Sequence, residues 1–348
     1  MISVADATDI VLSHLFRPQV IALPLEKCMG KILEEDLLAD RDFPPFDRVS
    51  MDGIALSYDA WKAGRREFPI RGTGAAGSPQ VVLEDPDTCV EIMTGAMLPK
   101  GADAIVRYED VDIAEGVARL GEVEVKPGQN VHVQGFDQRA GDIVVHKGSK
   151  ISSAEIGVAA SIGKTELRVA SLPKAIIISS GDELVGVSEA PLHYQIRRSN
   201  AHQLRATLGS WGLEADLAHF PDNPEDIEQK LSEVMKQYDL VIISGGVSKG
   251  KFDYMPEALE NLGVEKFFHR VKQRPGKPFW FGAVEGGPTV FALPGNPVSS
   301  FVCLLRYLQP WLRASLGQPP FETRYARLEA PIQFAPDLTY FAQVLLIQ

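Results

Sequence analysis

Cysteine is scarce in this chain: three in 348 residues, Cys28, Cys89 and Cys303, with no two close together. That excludes a disulfide framework, a C-x-x-C redox pair and a zinc signature, and it fits a reducing compartment. Long hydrophobic runs are missing too. No uninterrupted apolar stretch approaches the roughly 18 residues of a membrane span, and the opening MISVADATDIVLSHLF has no basic segment ahead of an apolar core. A cytoplasmic globular protein without a membrane partner is the expectation. Cations are in deficit, 35 Lys and Arg against 46 Asp and Glu, for a net charge of -11. Nucleic acid is therefore not an expected partner, although a local basic patch can still bind a phosphorylated small molecule. Catalytic signatures are absent as well. Without G-x-x-x-x-G-K-[ST], or a Rossmann fingerprint after a first strand, a simple nucleotide hydrolase or dehydrogenase is disfavoured. There is no H-E-x-x-H and no G-x-S-x-G elbow. The seven histidines are scattered; His14, His132 and His193 read as surface or structural residues.

What is present is the composition of a folded protein, 45% hydrophobic and 23% charged, in a chain long enough for two or three domains. A chain of this size buries about three quarters of its extended surface and needs no staples. Val4–Leu15, with Ser3 as its cap, has apolar residues at helical spacing and predicts a short amphipathic helix. Paired prolines in Asp42-Phe43-Pro44-Pro45-Phe46-Asp47 stop any regular element. From there to about Gln138, short apolar runs split by glycine and proline predict an all-β region. Cys89–Met93, Ala104–Tyr108, Val117–Val125 and Asn130–Val133 are examples. Ser152-x-x-Glu155 is a capping-box spacing before a helix that Gly163 ends, and Thr165–Val169 reads as a strand. Residues 1–42 and 140–172 read as one split domain, interrupted by an inserted β domain at 43–139.

From Pro173 the pattern is regular. Strands are expected at Ala175–Ser179, Glu214–Phe220, Leu240–Ile243, Phe267–Val271 and Val290–Leu293. Helices are expected at Asn200–Trp211, from Asn223-Pro224 to about Tyr238, near Pro256–Leu262 and from Pro297 to Leu308. This alternation predicts a doubly wound, mostly parallel α/β domain over 173–321 with helices on both faces. After Pro319-Pro320, Tyr325–Leu328 and Tyr340–Ile347 read as two strands. They predict the start of a small domain at 322–348 whose remainder is missing.

In an open parallel sheet, ligands bind where strands end and loops lead into helices. That rule selects Ser179-Ser180-Gly181-Asp182-Glu183, Phe220-Pro221-Asp222-Asn223, Ser244-Gly245-Gly246-Val247-Ser248 and Leu293-Pro294-Gly295-Asn296-Pro297. Glycine there lets backbone N–H groups reach a ligand, and phosphate is the natural guest. Tight turns alone would explain any one of these glycines. A run of cations follows: Lys249, Lys251, Lys266, Arg270, Lys272, Arg274 and Lys277. This local reversal of sign suits an anionic substrate, with Lys266 best explained as solvent-facing. The prolines of Arg274-Pro275-Gly276-Lys277-Pro278 would preorganise Lys277. Carboxylates recur in glycine-bearing loops at Asp52-Gly53, Gly135-Phe136-Asp137, Gly181-Asp182-Glu183 and Asp253. Each alone reads as a turn or cap. Several converging on a phosphate site would hold Mg²⁺, but periodicity does not show convergence.

Taken in order, these loops resemble the molybdopterin molybdenumtransferase family, which includes the E domain of the eukaryotic scaffold gephyrin. The matching segments begin with Pro44-Pro45-Phe46-Asp47, Ser50-Met51-Asp52-Gly53, Ile92-Met93-Thr94-Gly95-Ala96 and Leu98-Pro99-Lys100-Gly101-Ala102-Asp103-Ala104. They continue with Ser179-Ser180-Gly181-Asp182-Glu183-Leu184, Ser244-Gly245-Gly246-Val247-Ser248, Pro275-Gly276-Lys277-Pro278 and Leu293-Pro294-Gly295-Asn296-Pro297. The resemblance implies an elongated homodimer of four-part subunits. Its parts are a split linker and dimerisation domain, an inserted β domain, an α/β domain that holds the pterin, and a C-terminal β-barrel, here truncated. It implies an active cleft between the α/β domain of one subunit and the inserted β domain of the other. The implied reaction inserts molybdate into adenylylated molybdopterin with Mg²⁺ and release of AMP, the final step of molybdenum cofactor biosynthesis. The implied partners are an upstream molybdopterin adenylyltransferase and molybdenum-cofactor acceptor proteins.

Carried over by position, the resemblance implies Asp52, Thr94, Asp137, Glu183, Asp222 and Asp253 as catalytic residues. Asp52, Glu183 and Asp253 are the implied residues for Mg²⁺ or for orienting water. Ser180, Gly181, Gly245, Gly246, Ser248, Lys272, Lys277, Pro294, Gly295, Asn296 and Pro297 are the implied contacts to pterin and phosphate. The pattern departs at Arg198, where the family has aspartate, at Phe136, where glutamate is common, and at Lys249 and Arg274. Two rival readings stay open: a non-catalytic scaffold, against which the retained carboxylates argue, and a relative that handles tungstate.

Overall fold

The computed structural model describes residues 1–246, 254–322 and 325–346. The chain divides into two compact units. One comprises Pro24–Met29 and Glu35–Leu167, the other Met1–Leu23, Gly30–Glu34 and Arg168–Gln348. Segments 1–42 and 140–172 contribute to both.

The unit containing Glu35–Leu167 is built on a six-stranded sheet. Its order is Ala104–Arg107, Gly53–Leu56, Cys89–Ile92, Glu67–Gly74, Val117–Leu120, Val111–Ala114. Neighbours run antiparallel except Glu67–Gly74 beside Cys89–Ile92. Strand alternation sorts the side chains: Ile54, Leu56 and Val106 enter one apolar cluster, Ala55, Val90 and Ile105 another. Both faces are covered, which is why these strands read as continuous apolar runs. The expected Val117–Val125 run ends as a strand at Leu120, before Gly121. Farther on, helix Ser153–Ser161 opens with the expected capping box, Glu155 reaching back to the Ser152 N–H at 2.7 Å.

Gly53 has a steric role. It pairs opposite Arg107, and an added Cβ would stand 1.9 Å from the Val106 carbonyl oxygen. Gly53→Ala must open that pairing, at a cost of about 1–3 kcal/mol. A lower Tm by calorimetry is the expected result; an unchanged Tm would show that the strands are not this close.

The other unit has a mixed six-stranded sheet. Its order is Ala215–Phe220, Ala175–Ser180, Leu240–Ser244, Thr289–Leu293, Trp280–Ala283, Glu265–His269. The first four strands are parallel, the last two antiparallel. Ile177, Ile242 and Phe291 pack on one face with Val11, Leu204, Leu208, Leu304 and Trp311. Those partners come from helices Val4–Ser13 and Ser199–Ser210 and from the helical stretch beginning at Pro297. Ile176, Ile178, Val241 and Ala292 pack on the other face with helices Pro224–Gln237 and Met255–Asn261, through Ile227, Leu231 and Leu259. Each fully buried aliphatic side chain contributes about 1.5–3 kcal/mol relative to exposure, so the sheet is a firm base for its loops.

Several expectations change. Trp280–Ala283 is a strand that the sequence reading passed over. Glu265–His269 stops short of Val271 because Arg270 has φ 79, a left-handed conformation that breaks a strand. The last helix does not stop at Leu308: Pro297–Cys303 continues through a π-helical turn, Leu304–Leu308, into Gln309–Ser315. Pro310 has no N–H to donate, and a widened turn before it lets the helix run on without that bond. Among the described residues of the tail only Thr339–Tyr340 is a strand, parallel to Gln273–Arg274; Ile347, the last residue of the expected Tyr340–Ile347 strand, lies outside the described residues. Tyr325–Leu328 has no regular structure; its alternation finds no partner strand among the described residues. Among those residues no helix is long and apolar enough to cross a membrane.

Candidate functional site

Parallel register sets the strand ends side by side: Ser180 opposite Phe220, Ser179 opposite Ser244, and Ser244 opposite Leu293. The four loops singled out in the sequence therefore leave one edge of one sheet, where ligands of such sheets bind. Backbones meet there. Gly245, at φ 93, would place a Cβ 2.8 Å from Ser180 O, and Gly246, at φ 68, one 3.1 Å from Ser180 Oγ. Only glycine supplies both that φ and that approach. Asn200 fastens the set, its Nδ2 donating to Ser244 Oγ at 3.1 Å and to Gly295 O at 2.8 Å. The sequence reading took Asn200 only as a helix start. Its one local signal was an amide in a first turn that caps nothing. Asn296 does cap, accepting the Ser299 N–H at 3.0 Å; Pro294 is buried, and Gly295, Asn296 and Pro297 are exposed.

Three carboxylates of this unit, Asp182, Glu183 and Asp222, gather at two strand ends. At Gly181, φ 141, an added Cβ would lie 2.3 Å from Glu183 Oε2, so the Glu183 carboxylate folds back over the glycine. Ser180 Oγ donates to Asp222 Oδ1 at 3.2 Å, and the Asp222 N–H to Asp182 Oδ1 at 3.0 Å. Asp182 was not among the expected site residues. With Pro221, Asn223, Pro224, Glu225 and Asp226 these aspartates line an open hollow of about 700 Å³. Its lining is acidic, so the hollow does not by itself attract phosphate.

The basic loop lies against the last helix. Val271 N–H donates to Lys277 O at 3.0 Å, and at Gly276 an added Cβ would stand 3.4 Å from Ser299 O. Lys277 and Lys272 are exposed. Lys272 Nζ is 3.5 Å from Asp337 Oδ2, an exposed pair of the kind that contributes about 0–1 kcal/mol.

In the other unit the structure joins Asp52 to Thr94. Both the N–H and the Oγ1 hydroxyl of Thr94 donate to Asp52 Oδ1, at 2.6 and 2.7 Å. Those bonds favour the ionised form and hold the carboxyl below its ordinary value. Thr94→Val keeps the N–H but deletes the hydroxyl, so Asp52 should titrate at higher pH than in the wild type. Carboxyl ¹³C NMR reads that midpoint, and an unchanged or lower value would deny Thr94 this role. Asp137 stands apart: no hydrogen bond or ion pair joins it to the Asp52–Thr94 pair among the described residues. Its Oδ1 lies 3.4 Å from His132 Nε2, and His132 Nδ1 lies 3.2 Å from Arg48 Nη2. His132 thus links Arg48 to Asp137.

Cysteine supplies no nucleophile. All three are buried; desolvation pushes the Cys89 thiol up to about 12 and raises Cys303 as well. Ser248, Lys249, Lys251 and Asp253 lie outside the described residues. Among the described residues no three His, Cys, Asp or Glu side chains form a metal cage. Mg²⁺ needs none, since one or two carboxylates, substrate phosphates and water complete its shell. The exposed carboxylates of Asp52 and Glu183 are donors of that type.

The family profile described as "MoeA N-terminal region (domain I and II)" matches residues 2–163, and "Probable molybdopterin binding domain" matches residues 176–314. A molybdopterin molybdenumtransferase of Synechocystis sp. is 42% identical over 349 residues, covering 99% of this chain and 87% of that protein. The Staphylococcus epidermidis protein of the same name is 33% identical over 321 residues, covering 91% and 76%. The crystal structure of a molybdopterin biosynthesis MoeA protein from Pyrococcus horikoshii superposes with a TM-score of 0.79 at 29% identity, covering 91% of this chain and 81% of that one.

Proposed function

The chain belongs to the molybdopterin molybdenumtransferase (MoeA) family, and on that premise we propose that it inserts molybdate into adenylylated molybdopterin with release of AMP. One observation carries this reading: Ser180-Gly181, Gly245-Gly246 and Gly295-Asn296 share one sheet edge, and the Lys277 loop lies on the helix that starts there. Backbone at the exposed Gly295-Asn296 turn and Lys277 meet the phosphates, while the Gly181 and Gly245 N–H groups stay on strand carbonyls. Thr94 favours the ionised form of Asp52, and Gly181 leaves space for Glu183 to reach back over the strand end. These two carboxylates orient the attacking water and would hold Mg²⁺. When bound there, Mg²⁺ offsets the negative charge that develops as the phosphoanhydride breaks. Molybdate is itself an anion and meets cations or backbone N–H groups rather than carboxylates. The working site lies between the subunits of a homodimer, Asp52 of one subunit acting with the partner's Glu183. An upstream adenylyltransferase supplies the substrate, and molybdenum-cofactor acceptor proteins take the product.

Purified protein given adenylylated molybdopterin, Mg²⁺ and molybdate should release AMP. Absence of both pterin binding and AMP release would sink the reading.

A further inference from the structure

Gln273 is 0% exposed although it sits between exposed Lys272 and Arg274. Burial of an amide is unfavourable unless its donors and acceptor are met. Here they are met. Nε2 donates to Gly276 O at 3.1 Å and to Cys303 Sγ at 3.4 Å, and Oε1 accepts the hydroxyl of Tyr307. Tyr307 is buried and stands in the π-helical turn Leu304–Leu308. Gly276, at φ 91, packs directly on this amide: an added Cβ would lie 2.6 Å from Gln273 Nε2 and 2.7 Å from Cys303 Sγ.

We propose that Gln273 is a positioning residue, its buried carboxamide tying the Gly276 carbonyl to Tyr307 and so fixing the backbone that carries Lys277. This rests on the reading above, in which Lys277 meets the substrate phosphates. An apolar side chain of similar volume would fill the space but leave the Tyr307 hydroxyl unpaired and Gly276 O with only the weak Cys303 thiol donor at 3.7 Å, so the amide specifies the loop geometry. Other ties include backbone bonds, Val271 N–H to Lys277 O at 3.0 Å, Lys272 N–H to Ile2 O at 2.8 Å, Thr339 N–H to Lys272 O at 2.9 Å and Phe341 N–H to Arg274 O at 2.9 Å, and the exposed Lys272–Asp337 ion pair. They persist in every Gln273 variant, so the effect of its loss is local.

The test compares Q273L, Y307F and K277A with the wild type. Two quantities are read: the KM and kcat of AMP release with adenylylated molybdopterin, and amide hydrogen exchange over residues 273–277 without ligand. Q273L should raise KM about tenfold with kcat little changed, roughly the effect of one lost buried hydrogen bond, and should speed exchange in the segment. Y307F should do the same more weakly, and it stands in if Q273L fails to fold. K277A should raise KM and leave exchange unchanged. A wild-type KM in Q273L beside a raised KM in K277A overturns the proposal. If K277A leaves KM unchanged, the reading of Lys277 fails. Exchange alone then decides for Gln273: faster exchange in Q273L supports its hold on the loop, and unchanged exchange removes it.

Discussion

Glu183→Ala should lower AMP release by about 10²–10³-fold, the loss typical when one group aimed at developing charge is removed. The protein should still fold and dimerise. Glu183 is exposed, and what it gives the fold is backbone, its carbonyl accepting the Ile196 N–H at 2.9 Å. That bond survives truncation, and exposed substitutions of this kind stay within about 0.5 kcal/mol. Thermal unfolding and size-exclusion chromatography check this; loss of folding would assign Glu183 to structure. Gly181→Ala reaches the same carboxylate another way. Its new Cβ would stand 2.3 Å from Glu183 Oε2 at φ 141, displacing the carboxylate. Activity should fall comparably, with an added stability cost of about 1–3 kcal/mol because alanine is strained at that φ.

Asp52→Ala should be nearly as damaging with little effect on stability, because the side chain is exposed and water can replace it at the Thr94 N–H and hydroxyl. Asp52→Asn separates charge from shape, since its amide oxygen can still accept from Thr94. If ionisation is what matters, Asp52→Asn loses as much AMP release as Asp52→Ala. If Asn restores most of the activity, Asp52 is only a loop fastener.

Local chemistry was legible in the sequence where one short segment carried all of it. Ser3 and Ser152 cap their helices through partners three residues away, and Asn223 with Pro224 starts another. Strand ends were legible because an apolar run met a glycine whose φ is positive, as at Gly181 and Gly245. Long-range bonds left no such trace. Asn200 reaches Gly295 across 95 positions, and Gln273 reaches Tyr307 across 34. No periodicity encodes either. The Asp52–Thr94 bond spans 42 positions; Asp52 was singled out beside Gly53, whereas Thr94 entered only through family resemblance and nothing paired the two. The helix from Pro297 runs past its expected end at Leu308 for a physical reason: the π-helical turn before Pro310 avoids the bond that proline lacks.

Subunit mixing tests most directly whether carboxylates from two chains serve one phosphorylated pterin. Asp52→Ala and Glu183→Ala proteins, each inactive alone, are dissociated together and allowed to reassociate. With random pairing about half the dimers are mixed, and each mixed dimer holds one intact site, so about a quarter of wild-type AMP release should return. Confirmed mixed dimers that release no more AMP than either parent would contradict the account.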